Sequence, residues 1–204
     1  MENARTENTR RLLRLTQRIR VPAGFVALPA MLILARPTPS SLLAGGAVAL
    51  LGLAMRAWAS GYLRKNETLT TDGPYSYTRN PLYLGTLFLG LGAAICAGSP
   101  WVVALFGALY VLIYVPVMVA EVDTMIAMFP GEYGDYSRRV PLLVPRPGSS
   151  YHRSTEQRSG PNRSASTGFN LALYRRNREY RAALGFATVT VLLVVKMVVL
   201  GLSR

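Results

Sequence analysis

Two short polar segments of this 204-residue chain place chemically capable side chains beside long apolar runs. The first, residues 71–85, contains Arg79, whose guanidinium can bind a carboxylate, and Pro81, which suits the first turn of a helix. Free amides at that helix start would make the surrounding pocket more electropositive. The second, residues 121–145, begins with carboxylates that can bind a cation or hydroxyl groups, and continues with tyrosines, arginines and prolines. Together these segments predict an active site at a membrane surface.

The composition favours a membrane protein. Half of the residues are hydrophobic and the mean hydropathy is +0.24, although the formal net charge is +13. These properties are segregated, because long apolar runs alternate with arginine-rich connectors. A nucleic-acid-binding protein is disfavoured, since no aromatic-interleaved basic patch or zinc-ligand spacing accompanies the charge.

The apolar runs predict an all-α fold, a polytopic transmembrane helix bundle. One span takes about 20 apolar residues, and by that measure we predict about five spans. The first contains two prolines and is interpreted as a kinked span rather than a cleaved signal peptide. The predicted spans are Val21–Ala35, Leu42–Tyr62, Leu82–Gly98, Trp101–Ala120 and Ala183–Leu202.

The distribution of basic residues predicts the orientation. Of the 23 Lys and Arg residues, all but Arg36, Lys196 and Arg204 lie in segments on one predicted side. The positive-inside rule puts that side, with the N-terminus and both polar segments, in the cytoplasm and the C-terminus outside. We therefore expect an integral protein of a bacterial inner membrane, in contact with anionic lipids.

Metal chemistry is not predicted. Cysteine and histidine occur once each, as Cys96 in an apolar run and His152 in a polar connector. Neither has a neighbouring second ligand, so a metal site or a histidine-based triad has no support.

The two segments carry a resemblance to a known family. The sequence GPYSYTRNPLYLG at residues 73–85 is followed by E-x-D-x-M-x-x-x-F-P-x-E-Y-x-x-Y and by R-V-P-x-x-x-P, ending at Pro145. The order and spacing resemble the isoprenylcysteine carboxyl methyltransferase family, which is related to membrane phospholipid N-methyltransferases. The resemblance covers roughly residues 40–147. It implies a helical membrane enzyme that binds S-adenosyl-L-methionine in a cytoplasmic-face cofactor pocket and receives a lipidic substrate from the bilayer.

The sequence also predicts a division of the chain, in which the resemblance covers part of the first region only. Residues 1–147 would form the membrane methyltransferase core. Residues 148–169 read as a flexible basic linker, because they are rich in Ser, Gly and Arg. Residues 170–204 are predicted to form an interfacial helix followed by the C-terminal span.

Individual site residues follow from the same resemblance. The catalytic residues would be Glu121 and Arg139. Arg139 would hold the substrate carboxylate, with Tyr133 and Tyr136 beside it. Asn80 and Val122 depart from the family pattern, which has a histidine and a second acid there. The implied cofactor-binding residues are Arg79, Asn80, Pro81, Tyr83, Gly85, Gly90, Gly92 and Glu121.

The predicted reaction is carboxyl O-methylation of an isoprenylcysteine-like or other lipidic acid. A carboxylate is already nucleophilic, so the reaction needs alignment and desolvation rather than a general base. Two alternatives stay open, a phospholipid N-methyltransferase and a non-catalytic membrane interaction protein on the same scaffold. The expected partners are membrane lipids and a lipidic or prenylated small-molecule or protein substrate. The native acceptor, the oligomeric state and the role of residues 148–204 are left open.

Overall fold

The computed structural model describes residues 28–65, 67–148, 150–151 and 168–202. Across these residues the regular structure is helical, with no strand, which confirms the predicted all-α fold. A short helical stretch covers residues 28–34. It is followed by α1 (Pro39–Ser60), a 3₁₀ turn (Gly73–Ser76), α2 (Pro81–Cys96), α3 (Pro100–Met128), α4 (Glu132–Arg139), α5 (Leu171–Arg176) and α6 (Tyr180–Leu202).

Local sequence explains where the first helices begin. Helices α1, α2 and α3 each start with a proline, whose missing N–H costs nothing in a first turn. Thr38 also caps α1, because its hydroxyl accepts from the Ser41 amide at 3.1 Å while the Ser41 hydroxyl accepts from the Thr38 amide at 3.0 Å. Between α2 and α3 the chain turns at Gly98, whose φ of +65° is open to glycine.

The helices confirm a polytopic helical membrane protein. Three of them, α1, α3 and α6, are long and apolar enough to cross a membrane. Helix α2 is apolar but has 16 residues, so it is shorter than a full span. Helix α3 continues from its predicted end at Ala120 to Met128. Most of the first predicted span lies outside the described residues.

Glycines let α1 and α2 pack backbone against backbone. A Cβ at Gly45 would collide with the backbone of Gly92 and Cys96. A Cβ at Gly52 would likewise collide with the backbone of α2, including the Gly85 carbonyl. Small residues at such positions allow the close approach typical of membrane helices. This packing sets the distance between α1 and α2, which both contribute side chains to the candidate site described below.

Both polar segments lie at the same end of the bundle. The Arg79 amide, in the first segment, donates to the Pro141 carbonyl in the second at 3.0 Å. At the opposite end, the Arg36 amide donates to the Ala97 carbonyl at 2.7 Å. The end that carries the polar segments is called the site end below. That it faces the cytoplasm stays a prediction.

The segment before α6 docks against the C-terminal end of α1. The Asn170 amide donates to the Gly61 carbonyl at 2.9 Å. The Asn177 side chain donates to the carbonyls of Ser60 and Leu63 at 2.9 and 3.2 Å. These bonds satisfy carbonyl groups that the end of a helix leaves without partners. Residues 168–179 therefore form part of the site end. Of the predicted linker, residues 149 and 152–167 lie outside the described residues.

Candidate functional site

A cavity of about 510 Å³ opens at the site end. This volume is within the range of small-molecule and cofactor sites, about 300–1,000 Å³. Its walls come from the last turns of α1, the start of α2, the end of α3, α4 and the turn before α6. Its lining combines apolar side chains with arginines, tyrosines and two carboxylates.

The first polar segment is joined to the second by side-chain hydrogen bonds. The hydroxyl of Thr78, which is buried, donates to the Leu143 carbonyl at 2.7 Å. The Asn80 amide group donates to the Leu142 carbonyl at 3.0 Å. Asn80 therefore links the two segments, and it also lines the cavity.

The Arg79 side chain lines the cavity beside Tyr133. Its Nη1 donates to the Tyr133 hydroxyl at 3.1 Å, and its Cζ lies 5.8 Å from the centroid of the Tyr133 ring. The Nε of Arg79 is buried and has no hydrogen-bond partner among the described residues. A buried donor of this kind is costly unless a ligand or water accepts from it. Arg79 is thus suited to bind an anionic ligand group.

Two buried tyrosines, Tyr75 and Tyr136, line the cavity. The Tyr136 hydroxyl is buried and donates to the Tyr75 carbonyl at 2.6 Å. The Tyr75 hydroxyl is also buried, and no described residue is bonded to it. Burial raises the pKa of Tyr75, and the negative charges of Glu179 and then Glu121 raise it further. Burial similarly raises the pKa of Tyr136.

Glu121 faces the cavity from α3. The Tyr83 hydroxyl donates to its Oε1 at 2.7 Å, and the Tyr110 hydroxyl in turn donates to the Tyr83 carbonyl at 2.9 Å. Val122 also lines the cavity and packs beside the buried tyrosines of α4. Asp123 is exposed and lies outside the lining. The carboxylate next along the chain therefore does not supply a second acid to the cavity.

The second carboxylate of the cavity comes from Glu179. Its Oε2 accepts from Nε and Nη2 of Arg56 at 3.0 and 2.7 Å. The side chains of Arg56 and Glu179 are 20% and 12% exposed, so the pair is largely removed from water. Arg56 also donates to the Leu82 carbonyl at 3.3 Å and to the Thr86 hydroxyl. The pair ties α1 and α2 to the turn before α6.

The predicted site residues fall into two groups. Among those lining the cavity are Arg79, Asn80, Pro81, Tyr83, Glu121, Tyr133 and Tyr136. The others lie outside the lining. Gly85 and Gly92 face α1, Gly90 faces the ring of Phe106, and Arg139 is exposed with its Cζ 5.9 Å from the centroid of the Tyr151 ring. The roles of all these residues stay predictions.

Sequence reasoning missed Glu179 and counted Arg56 only as a charge for orientation. Arg56 is an ionisable residue within an apolar run, which is a signal of function in membrane helices. Glu179 is the single acid of residues 157–204. A buried arginine needs a partner, and these two facts could have suggested the pair.

The helices and the cavity define a helical membrane protein with a cavity of cofactor size at one end. The profile of the phospholipid methyltransferase family matches residues 42–132. The chain is 28% identical over 81 residues to the protein-S-isoprenylcysteine O-methyltransferase of Schizosaccharomyces pombe, across 40% of this chain and 34% of that protein. Over its central segment the chain is therefore similar to the family that its two motifs predicted.

Two bacterial relatives are more similar. The cobalt-zinc-cadmium resistance protein CzcN of Cupriavidus metallidurans is 39% identical over 93 residues, 45% of this chain and 43% of that protein. The nickel-cobalt-cadmium resistance protein NccN of Alcaligenes xylosoxydans xylosoxydans is 36% identical over 107 residues, 48% and 49% of the two chains. The chain spans less than half the length of these curated relatives. No solved structure matches. Within the described ranges, no three His, Cys, Asp or Glu residues group as a metal site would require.

Proposed function

We propose that the protein is a membrane methyltransferase that uses S-adenosyl-L-methionine to methylate the carboxylate of a lipidic acid. The observation that carries this proposal is the cavity itself. In a segment that matches the phospholipid methyltransferase family, it brings together an arginine with a buried donor, a buried hydroxyl and a hydrogen-bonded carboxylate.

The lining residues fit the methyl donor. S-adenosyl-L-methionine carries a carboxylate, an ammonium, ribose hydroxyls and a sulfonium, and it supplies an electrophilic methyl group when bound. Arg79 can donate to the carboxylate through its buried Nε. Glu121 can accept from the ammonium or the hydroxyls, while Tyr83 fixes its orientation through the 2.7 Å hydrogen bond.

The other lining residues fit an acceptor with an apolar body. Met118, Val122, Met125, Met128 and Phe129 line the cavity from α3 and the residue after it. They can exclude water around an acceptor carboxylate, which raises its reactivity toward a methyl group without a general base. In this proposal the exposed Arg139 guides the acid toward the cavity, and the acceptor is a lipidic or prenylated compound drawn from the membrane.

Donor binding to the purified full-length protein in lipid nanodiscs tests the first half of the proposal. Calorimetric titration with S-adenosyl-L-methionine should show binding to the wild type. Glu121→Gln should weaken it by about tenfold, because a hydrogen bond to a charged group contributes about 1.5–3 kcal/mol. Asp123→Asn is the matched control, since this exposed acid on the same helix lies outside the lining. A wild type that does not bind the donor would refute the proposal.

Methyl transfer tests the second half. The wild type is incubated with methyl-labelled S-adenosyl-L-methionine and a membrane lipid extract, and the labelled lipids are then treated with base. A methyl ester releases its label as methanol, whereas a methylamine keeps it. Base-labile label supports carboxyl methylation.

A phospholipid N-methyltransferase is the second candidate. It is favoured by the description of the matching family and by the two carboxylates of the cavity, which could bind an amine headgroup. Base-stable label in the same experiment would select it. A role without catalysis remains the third candidate, since two relatives, 39% and 36% identical over the matched residues, are named for metal resistance. That reading requires a wild type that neither binds the donor nor transfers label.

A further inference from the structure

We propose that Glu179, Tyr75 and Glu121 form a cation subsite, in which the segment before α6 supplies a binding residue for an onium group. The group is a sulfonium or a substituted ammonium. The inference rests on the proposed function for the identity of the ligands, but the cation subsite itself can be tested separately.

A tight turn before α6 brings Glu179 to the cavity. Arg178 has a φ of +56°, which is rare for a residue with a side chain and marks a tight turn held at some cost. On one side of this turn, Asn177 is bound to the end of α1 by its two side-chain hydrogen bonds. On the other side is Glu179, with a side chain 12% exposed. Strained backbone of this kind persists where its surroundings hold it, often at functional sites.

Tyr75 provides the independent sign of a ligand. Its side chain is 7% exposed, it lines the cavity, and its hydroxyl has no hydrogen-bond partner among the residues that are described. Leaving a hydroxyl buried in this way is unfavourable unless a ligand or water completes its hydrogen bonding. A phenol oxygen next to carboxylates can accept from an ammonium or from the polarised methyl and methylene groups of a sulfonium.

Two carboxylates act on the Tyr75 hydroxyl. Burial raises its pKa, the charges of Glu179 and Glu121 raise it further, and Arg56 lowers it by less than any of these. Both carboxylates are therefore close enough to act on the same oxygen, although they are 58 residues apart in the chain. Arg56 contacts one oxygen of Glu179, Oε2, and the other oxygen takes part in neither of its hydrogen bonds.

A purely structural role for Glu179 is the competing explanation. A second ion pair already connects the same segment to the loop after α1, between Arg176 and Glu67 at 2.7 Å. Its two side chains are 66% and 46% exposed, so that pair is on the surface, outside the cavity. Glu67→Gln thus weakens the docking of the segment without changing the charge of the cavity, and it serves as the matched control.

The experiment compares ligands that differ in one positive charge. Full-length wild type, Glu179→Gln and Glu67→Gln in nanodiscs are titrated with S-adenosylmethionine and with S-adenosylhomocysteine, which lacks the sulfonium. They are also titrated with glycerophosphoethanolamine and with glycerophosphoglycerol, which lacks the ammonium. Glutamine can still accept from Arg56, so Glu179→Gln removes the charge and keeps the hydrogen bond.

In one of the two pairs, we expect Glu179→Gln to weaken the binding of the ligand with the additional positive charge about tenfold more than the binding of the ligand that lacks it. The loss of one charge–charge interaction at low effective dielectric has about this effect. Glu67→Gln should leave both ratios as in the wild type. A selective loss for the adenosyl pair assigns the subsite to the sulfonium, and one for the headgroup pair assigns it to an ammonium. Equal losses within both pairs, as a structural role predicts, would overturn the inference and leave the proposed function standing.

The two proposals can fail separately. A wild type that binds glycerophosphoethanolamine with Glu179-dependent selectivity but does not bind S-adenosylmethionine would refute the methyl donor and keep the cation subsite. A wild type that binds none of the four ligands would refute both.

Discussion

Adding one methyl group to α1 should have opposite effects at two neighbouring glycines. Gly45→Ala places a Cβ at the contact between α1 and α2, where it would meet the backbone of Cys96 and Gly92 and lie 2.6 Å from the Cys96 sulfur. Gly46→Ala places the same group where no atom lies within 4 Å. The two substitutions are identical in chemistry and differ only in the face of the helix.

The structure sets the size of the effect. The Gly45 collision is mainly with backbone, which cannot rotate away, so the helices must separate, and overpacking of this kind costs about 1–3 kcal/mol. At Gly46 the substitution should stabilise by about 0.5–1 kcal/mol, since alanine loses less backbone entropy in a helix. The two variants should thus differ by about 1.5–4 kcal/mol.

Thermal unfolding in detergent, followed by fluorescence-detected size exclusion, measures the difference. At about 2–4 °C per kcal/mol for a chain of this size, the Tm of Gly45→Ala should lie at least about 3 °C below that of Gly46→Ala. Donor affinity should fall with it in Gly45→Ala, because Arg56 and Leu82 face each other across the same helix pair. Equal Tm values for the two variants would show that the helices do not approach as closely as described.

Tyr136→Phe should destabilise the protein by about 1–3 kcal/mol, because the Tyr75 carbonyl would lose its buried donor; chemical denaturation measures this, with the exposed Tyr77→Phe as control. The contribution of Tyr75 and Tyr136 to stability should be constant below the pKa of an unfolded tyrosine, about 10, and fall as the pH rises above it, since their raised pKa values hold both neutral in the folded state. A Tyr136→Phe variant that loses as much alkaline stability as the wild type would contradict this assignment. Arg139→Ala should reduce turnover far more than donor affinity, and a purified variant with full activity would exclude Arg139 from acceptor binding.

The fold could be predicted from the sequence because span length and hydropathy are local properties. Three predicted spans appear as the long helices α1, α3 and α6, with shifts of a few residues at most of their ends. The largest shift is at α3, which continues beyond Glu121 to Met128. Hydropathy ends a span at the first acid, whereas the helical hydrogen bonds continue through polar residues.

The site was only partly predictable. Motif order identified residues such as Arg79 and Glu121 that line one cavity, because each motif is a continuous stretch of sequence. The contact between Arg56 and Glu179 joins residues that are 123 positions apart, and no local sequence pattern predicts it. Gly85 and Gly92 face α1 and do not line the cavity, and a glycine in a motif can serve helix packing as well as a cofactor.

The contacts made by α6 have a consequence for biosynthesis. Lys196 donates to the carbonyl of Leu32, 164 residues earlier, and to that of Ile33 at 3.1 Å. A chain emerging from the ribosome therefore forms α1, α2 and α3 before it has made α6, the helix that contacts residues 32 and 33. Glu179 also arrives late, so the cavity gains its second carboxylate only after its other lining residues have been made. A translation product truncated before Glu179 would therefore insert into the membrane with an incomplete cavity.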